Sequence, residues 1–220
     1  KFMSQCFKKI FLSWRLGKTY SRIMVGVIED TPTGAVFAYI KEGVEEAQKF
    51  GFNGYPGFSL EQSEYKQNVL DFFSKRLINL ERSDTKELLD FWEIDPKYKN
   101  NSLYMLAMTQ GKMQTDSFEF LASFMPANGV CFVTDIAGIN YRNFDLGKIK
   151  EGTILSFEQE PNNSIDNKAV KVLYKGELIG YIKRGHNEFF YGENSDRIKL
   201  CVKSITNIPS YKELYVKVYT

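Results

Sequence analysis

The sequence predicts an α+β protein, an N-terminal antiparallel β-meander with a small helical bundle followed by a second, strand-rich unit. Three observations carry this expectation. Apolar residues alternate with period two from Lys9 to about Tyr39, recur at helical spacing between Val44 and Met108, and return to short apolar runs separated by turn residues from Ser117 to the end.

In the first stretch, Ile10, Leu12 and Trp14 alternate with polar or small residues, Ile23, Val25 and Val27 do so around Gly26, and Val36 to Ile40 follows the turn-prone Asp30-Thr31-Pro32-Thr33-Gly34. A short helix is expected over Val44 to Phe50, ended by Gly51 to Gly57 with its three glycines and Pro56. Val69, Leu70, Phe72, Phe73 and Leu77 mark a second helix. Ser83 as N-cap and Asp84 in the first turn open a third over Thr85 to Trp92, with Leu88, Leu89 and Trp92 inward. A fourth, Ser102 to Met108, turns Leu103, Leu106 and Ala107 inward and stops at Gly111.

Strands are then expected at Phe118 to Phe124, Val130 to Ile136, Ile154 to Glu158, Ala169 to Tyr174, Leu178 to Ile182, Lys199 to Ile205 and Tyr215 to Val218, with one helical turn at Gly185 to Phe190. Turn chemistry in Met125-Pro126-Ala127-Asn128-Gly129 places a domain boundary there, giving units 1–126 and 127–220.

Hydrophobic residues at 43% and charged residues at 25% exclude a disordered tail. A net charge of +2 is too small to mark a nucleic-acid binder by itself, so distribution decides. Lys1, Lys8, Lys9, Arg15, Lys18 and Arg22 all precede the first acidic residue, Glu29. This basic edge suits either phosphate or a lysine-protected strand edge. Cys6, Cys131 and Cys201 are odd in number and far apart, which argues against a disulfide framework and for a reducing cytoplasm. Phe2, Met3, Cys6, Phe7, Ile10 and Phe11 would line one helical face, but Lys8 and Lys9 interrupt any membrane span.

The densest signal runs Glu160-Pro161-Asn162-Asn163-Ser164-Ile165-Asp166-Asn167-Lys168-Ala169-Val170, then Gly176, then Ile179-Gly180-Tyr181-Ile182-Lys183. Physically it is a strand end, a polar turn that Asp166 can cap, a buried strand opened by Ala169, and a second strand in which Gly180 permits close backbone approach. The run resembles the HIRAN domain hallmark in both residue type and spacing. That resemblance implies an OB-like β-barrel and, as in the helicase-like transcription factor family, a partner in single-stranded DNA or its 3′ end. By motif position it implies that Asp166 accepts the 3′-hydroxyl, that Tyr141 stacks on a base, that Tyr181 stands where relatives often have His, and that Lys183 and Arg184 contact phosphate. Asn140 stands where a DNA-binding relative has Arg, and Ile165 replaces an aromatic before Asp166. Each residue also has a structural role open to it: Asp166 as turn cap, Tyr141 and Tyr181 as packed rings, Lys183 and Arg184 as a solvated strand end.

The N-terminal half carries a fainter resemblance, through Val25-Gly26, Phe37-x-Tyr39, Gly54-Tyr55-Pro56-Gly57-Phe58, Phe73-Ser74-Lys75-Arg76-Leu77 and Leu106-Ala107-x-Thr109-x-Gly111, to the N-terminal subdomain of HipA-type toxin kinases. In that family the segment is an accessory unit, and no phosphate loop or catalytic segment of a kinase is present. His186 is the only histidine, expected at the surface, so no histidine-based metal cluster can form, and no nuclease carboxylate pattern or Gly-x-Ser-x-Gly elbow occurs. The expectation is therefore a cytoplasmic, non-catalytic DNA-binding protein with no cofactor and no membrane partner. The alternative is a protein-interaction or toxin-regulatory subunit, with a kinase, helicase or nuclease as its partner.

Overall fold

A computed structural model describes residues 6–18, 20–193 and 195–220. The apolar positions Phe2 and Met3 of the opening stretch lie outside the described residues; from Phe7 onward that stretch is strand, not helix.

Strands β1 (Phe7–Trp14), β2 (Ile23–Thr31), β3 (Gly34–Tyr39), β4 (Glu64–Tyr65) and β5 (Phe118–Phe124) form one antiparallel sheet in the order β4-β3-β2-β1-β5. β4 has no counterpart in the sequence reading, because two residues cannot establish a period. Four short helices stand between β3 and β5: α1 (Lys41–Gln48), α2 (Val69–Phe73), α3 (Thr85–Phe91) and α4 (Ser102–Thr109). The 15% aromatic content is largely spent here: Phe37, Phe58 and Phe73 pack at 5.0–5.3 Å between ring centres, with Tyr55 and Phe120 edge-on to Phe73 at 4.9 and 5.0 Å.

α4 is buried on every side, which explains why its sequence is apolar all round. Asn101 caps it by accepting from the Tyr104 N–H at 2.9 Å, and Gln110, left-handed at φ 60°, ends it one residue before Gly111. α3 differs from expectation. Asp84, not Ser83, occupies its N-cap without a side-chain capping bond, and Leu88 and Leu89 are only half-buried, leaving Trp92 as the buried anchor.

The remaining strands, β6 (Cys131–Ala137), β7 (Ile154–Glu160), β8 (Ala169–Tyr174), β9 (Glu177–Ile182), β10 (Lys199–Ile208) and β11 (Tyr211–Tyr219), close a barrel in the order β10-β11-β6-β9-β8-β7. Closure rests on two seams of two residue pairs each, β6 with β9 and β7 with β10. Gly180 belongs to the first seam. A Cβ there would lie 2.5 Å from the Ala137 carbonyl oxygen and 2.6 Å from Ile136 Cγ2, so only glycine lets these strands meet. The expected helix at Gly185 to Phe190 is a 3-10 turn over Asn187–Tyr191.

The two units share a broad interface. Phe91 and Trp92 pack edge-on against Tyr215 at 5.2 and 5.8 Å, Glu93 pairs with Lys203 and Lys217, and Gly185 lies against Leu121 and Met24. No helix among the described residues is long and apolar enough to cross a membrane.

Candidate nucleic-acid interface

β7 and β8 are joined in register Glu160↔Ala169, so the residues between them form one loop. Asn163 organises it. Its Oδ1 accepts from the Ile165 and Asp166 N–H groups at 2.9 and 3.1 Å, while its amide donates to Glu160 at 2.6 Å. Asp166 caps the next step, Oδ1 accepting from Lys168 N–H at 2.9 Å and Oδ2 from Asn187 Nδ2 at 2.8 Å. Asn187 also donates to the Lys168 carbonyl at 2.8 Å, so this buried amide pins the loop to the turn after β9. Arg184 reaches the same loop, donating to the Ile165 carbonyl at 2.9 Å with its Nε 3.6 Å from Asp166 Oδ2.

Glu160 ties Tyr181 into this arrangement. It accepts from the Tyr181 hydroxyl at 3.2 Å and from Asn163, and pairs with Lys171 at 2.9 Å. The Asn163 amide and Lys171 hold its carboxyl below the ordinary value, while burial and the Glu160 charge raise the Tyr181 phenol. The Arg142 guanidinium lies 5.5 Å above the Tyr181 ring. Its neighbour Tyr141 ends a 3-10 turn over Ile139–Tyr141 and is 68% exposed.

Asp166 and Arg184 thus meet directly, Tyr181 joins them through Glu160 and Asn163, and Tyr141 stands beyond Arg142. Lys183 does not join them. Its side chain is 1% exposed and turned inward, paired with Asp135 and donating to Gln110 Oε1 at 2.6 Å, so it is not a surface contact for phosphate. The reason is local. Strand alternation ends at Ile182, and the turn that follows buries Lys183, Gly185, His186 and Asn187 while Arg184 alone faces out. His186, expected at the surface, is buried against Phe124 and Phe132 at 5.6 and 5.2 Å, its Nδ1 2.9 Å from Thr134 Oγ1, and burial holds the imidazole neutral, well below its ordinary pKa.

Lys183 belongs to a buried polar group between the two units. Glu119 and Asp135 are its carboxylates; Arg22 contacts both, Lys112 lies 2.9 Å from Asp135 and 3.6 Å from Glu119, and Arg15 lies 3.7 Å from Glu119. Burial pulls the Lys183 ammonium down to about 7 against the opposing carboxylates, whereas the surrounding cations keep Asp135 and Glu119 ionised well below the carboxylate range.

A groove of about 590 Å³ opens between the loop 163–168, Arg184, Gly185, Asn187 and Glu188 on one side and Phe11 of β1 with Met24 of β2 on the other. Lys168 and Glu188 pair across its rim at 2.9 Å. Sequence reasoning missed Arg142, Asn187, Phe11 and Met24. Arg142 could have been found as the cation beside Tyr141, whereas the others have no local signature. Among the described residues no group of three or more His, Cys, Asp or Glu side chains could hold a metal ion.

The loops of the small closed antiparallel barrel thus build one wall of a polar groove. Residues 129–219, which span the barrel, match the HIRAN domain family, a family of nucleic-acid-binding modules. The match does not extend to the N-terminal half, and the HipA likeness gains no support from it. Among solved structures the chain is similar to the crystal structure of the HIRAN domain of human HLTF, at 15% identity and a TM-score of 0.34 over 40% of this chain and 72% of that one. No curated protein matches.

Proposed function

We propose that the protein is a non-catalytic DNA-binding protein of the cytoplasm whose HIRAN barrel receives a single-stranded DNA 3′ end at the turn around Asp166. One observation supports this above the rest: a carboxylate and a guanidinium, Asp166 and Arg184, stand 3.6 Å apart beside an open groove, with Tyr141 exposed on the same barrel. Asp166 spends Oδ1 on one donor only, and a carboxylate oxygen has two lone pairs, so it can cap its turn and still accept a terminal hydroxyl. Arg184 supplies the phosphate contact, Tyr141 a ring for a base, and Tyr181 holds the Arg142 guanidinium in place from below. Lys183 has no part in this site.

The test is anisotropy titration with labelled single-stranded oligonucleotides ending in 3′-hydroxyl or 3′-phosphate, across a salt series. Tighter binding of the hydroxyl end is expected, and Asp166→Ala should reduce that preference more than it reduces total binding. Equal, negligible binding of both ends removes the proposal.

A second reading, a protein-interaction or toxin-regulatory subunit, is favoured by Asn140 and Ile165. Asn140 is committed to the Lys212 backbone, accepting at 3.0 Å and donating at 3.2 Å, and Ile165 presents an apolar side chain that is 79% exposed. Recovery of a kinase, helicase or nuclease in a pull-down after digestion of nucleic acid would support it; copurification with DNA alone would oppose it.

A further inference from the structure

The sheet β4-β3-β2-β1-β5 has two faces, and the aromatic core uses one of them. On the other, directly paired residues form a row across four strands: Leu121 of β5, Phe11 of β1, Val27 of β2 and Ala38 of β3. Leu121 is wholly buried beneath Gly185 of the barrel, whereas Phe11, Val27 and Ala38 are partly exposed. The row therefore leaves the interface at the groove, where Phe11 already forms part of the wall. Lys9, two residues along β1 and on the same face, holds its ammonium 4.7 Å from the Phe11 ring centre.

We propose that this sheet face continues the DNA site, with Phe11 stacking on a base that precedes the 3′-terminal nucleotide and Lys9 meeting its phosphate. The proposal rests on the reading of the barrel as a 3′-end site. It concerns residues outside the segment that matches the HIRAN family, so the N-terminal unit becomes part of the binding surface. Three features select this occupant. The face is continuous with the groove. A flat ring beside a lysine ammonium is the pairing that single strands use, a stacking platform with a phosphate counter-charge. An extended peptide is disfavoured, because β1 and β2 are paired on both sides and have no free backbone ladder to offer.

The groove holds about 590 Å³, within the range of about 300–1,000 Å³ typical of small-ligand sites. A terminal nucleotide fits there, and the chain leading to it must exit past Phe11 or back over the loop. The row of half-exposed apolar residues favours the first route.

The experiment compares a single nucleotide, a 5′-monophosphate with a free 3′-hydroxyl, with a 3′-hydroxyl hexanucleotide on the whole chain, reading the gain in affinity between them. Phe11→Leu keeps the apolar contact and removes the ring; it should shrink that gain by roughly 5- to 140-fold, the loss of one base stack, and Phe11→Trp should restore it. Lys9→Gln should reduce the slope of log affinity against log salt by about 0.7 for the hexanucleotide. A 2-aminopurine placed before the terminal nucleotide should be quenched by the parent chain and less by Phe11→Leu. If the parent binds, Asp166→Ala loses end preference and Phe11→Leu keeps the full gain, the sheet proposal falls while the barrel reading stands. If the parent binds neither the single nucleotide nor the hexanucleotide, both fall.

Discussion

Asp135 and Lys183 sit in a buried group that holds four cations, Arg15, Arg22, Lys112 and Lys183, against two carboxylates. That imbalance sets the cost of removing each member. Asp135→Asn strips the partner shared by Arg22, Lys112 and Lys183 and leaves buried charge uncompensated, a loss expected at about 3–5 kcal/mol. Lys183→Met leaves Asp135 paired with Lys112 at 2.9 Å and Arg22 at 3.1 Å, and the main deficit is the Gln110 oxygen without its donor, about 1–3 kcal/mol. Urea unfolding of the two variants should therefore rank Asp135→Asn as clearly the more damaging. This role of Lys183 was not legible, because its partners come from the end of α4, from β5 and from β6, remote in the chain, while its immediate neighbours read as an exposed strand end. Asp166 was legible as a turn cap, since an aspartate in an Asn-rich turn has a local reason to be there.

Among the elements, the β6–β9 seam is the one most open to attack. Gly180→Ala would force the Ala137 carbonyl and Ile136 side chain away from β9 at a seam of only two pairs, with an overpacking loss of about 1–3 kcal/mol. Because Tyr181 follows directly and pairs with Ala137, the shift should also disturb Arg142 above its ring, so oligonucleotide affinity should fall along with the thermal midpoint. Strands with clear alternation or continuous apolar runs were readable to within a few residues. α1 starts at Lys41, ahead of the expected Val44, because Gly43, which looks like a helix breaker, is buried where the helix packs closest on β2. The turn at Asn187–Tyr191 has helical spacing over so few residues that period alone cannot separate a 3-10 turn from an α-helix.

For the whole molecule, interface chemistry makes stability rise with pH through neutrality. His186 stays neutral in the fold, whereas the unfolded chain takes up a proton below its ordinary value of 6.5, so stability is lost as pH falls through that value. Lys183, held at about 7 against 10.5 unfolded, adds a gain as pH rises between those values. The urea midpoint should therefore climb from about pH 5 to about pH 10, and His186→Phe should flatten the acid part of that climb. The same interface implies one cooperative transition for both units, checked by a ratio of calorimetric to van't Hoff enthalpy of about 1. Residues 127–220 alone, stripped of the partners of Asp135, Tyr215 and Gly185, should unfold at lower temperature than the full chain. This union was illegible in the sequence, where the turn at Met125 to Gly129 marks the change of sheet but carries no trace of the contacts that bridge it.

Asn140 offers a last consequence. By accepting from and donating to the Lys212 backbone, its amide imitates a peptide unit and adds a rung at the edge of β11. Installing arginine at this position to strengthen the grip on DNA would remove that rung at the same time, because a guanidinium cannot accept a hydrogen bond. An added cation and a sealed hairpin edge therefore compete for a single position.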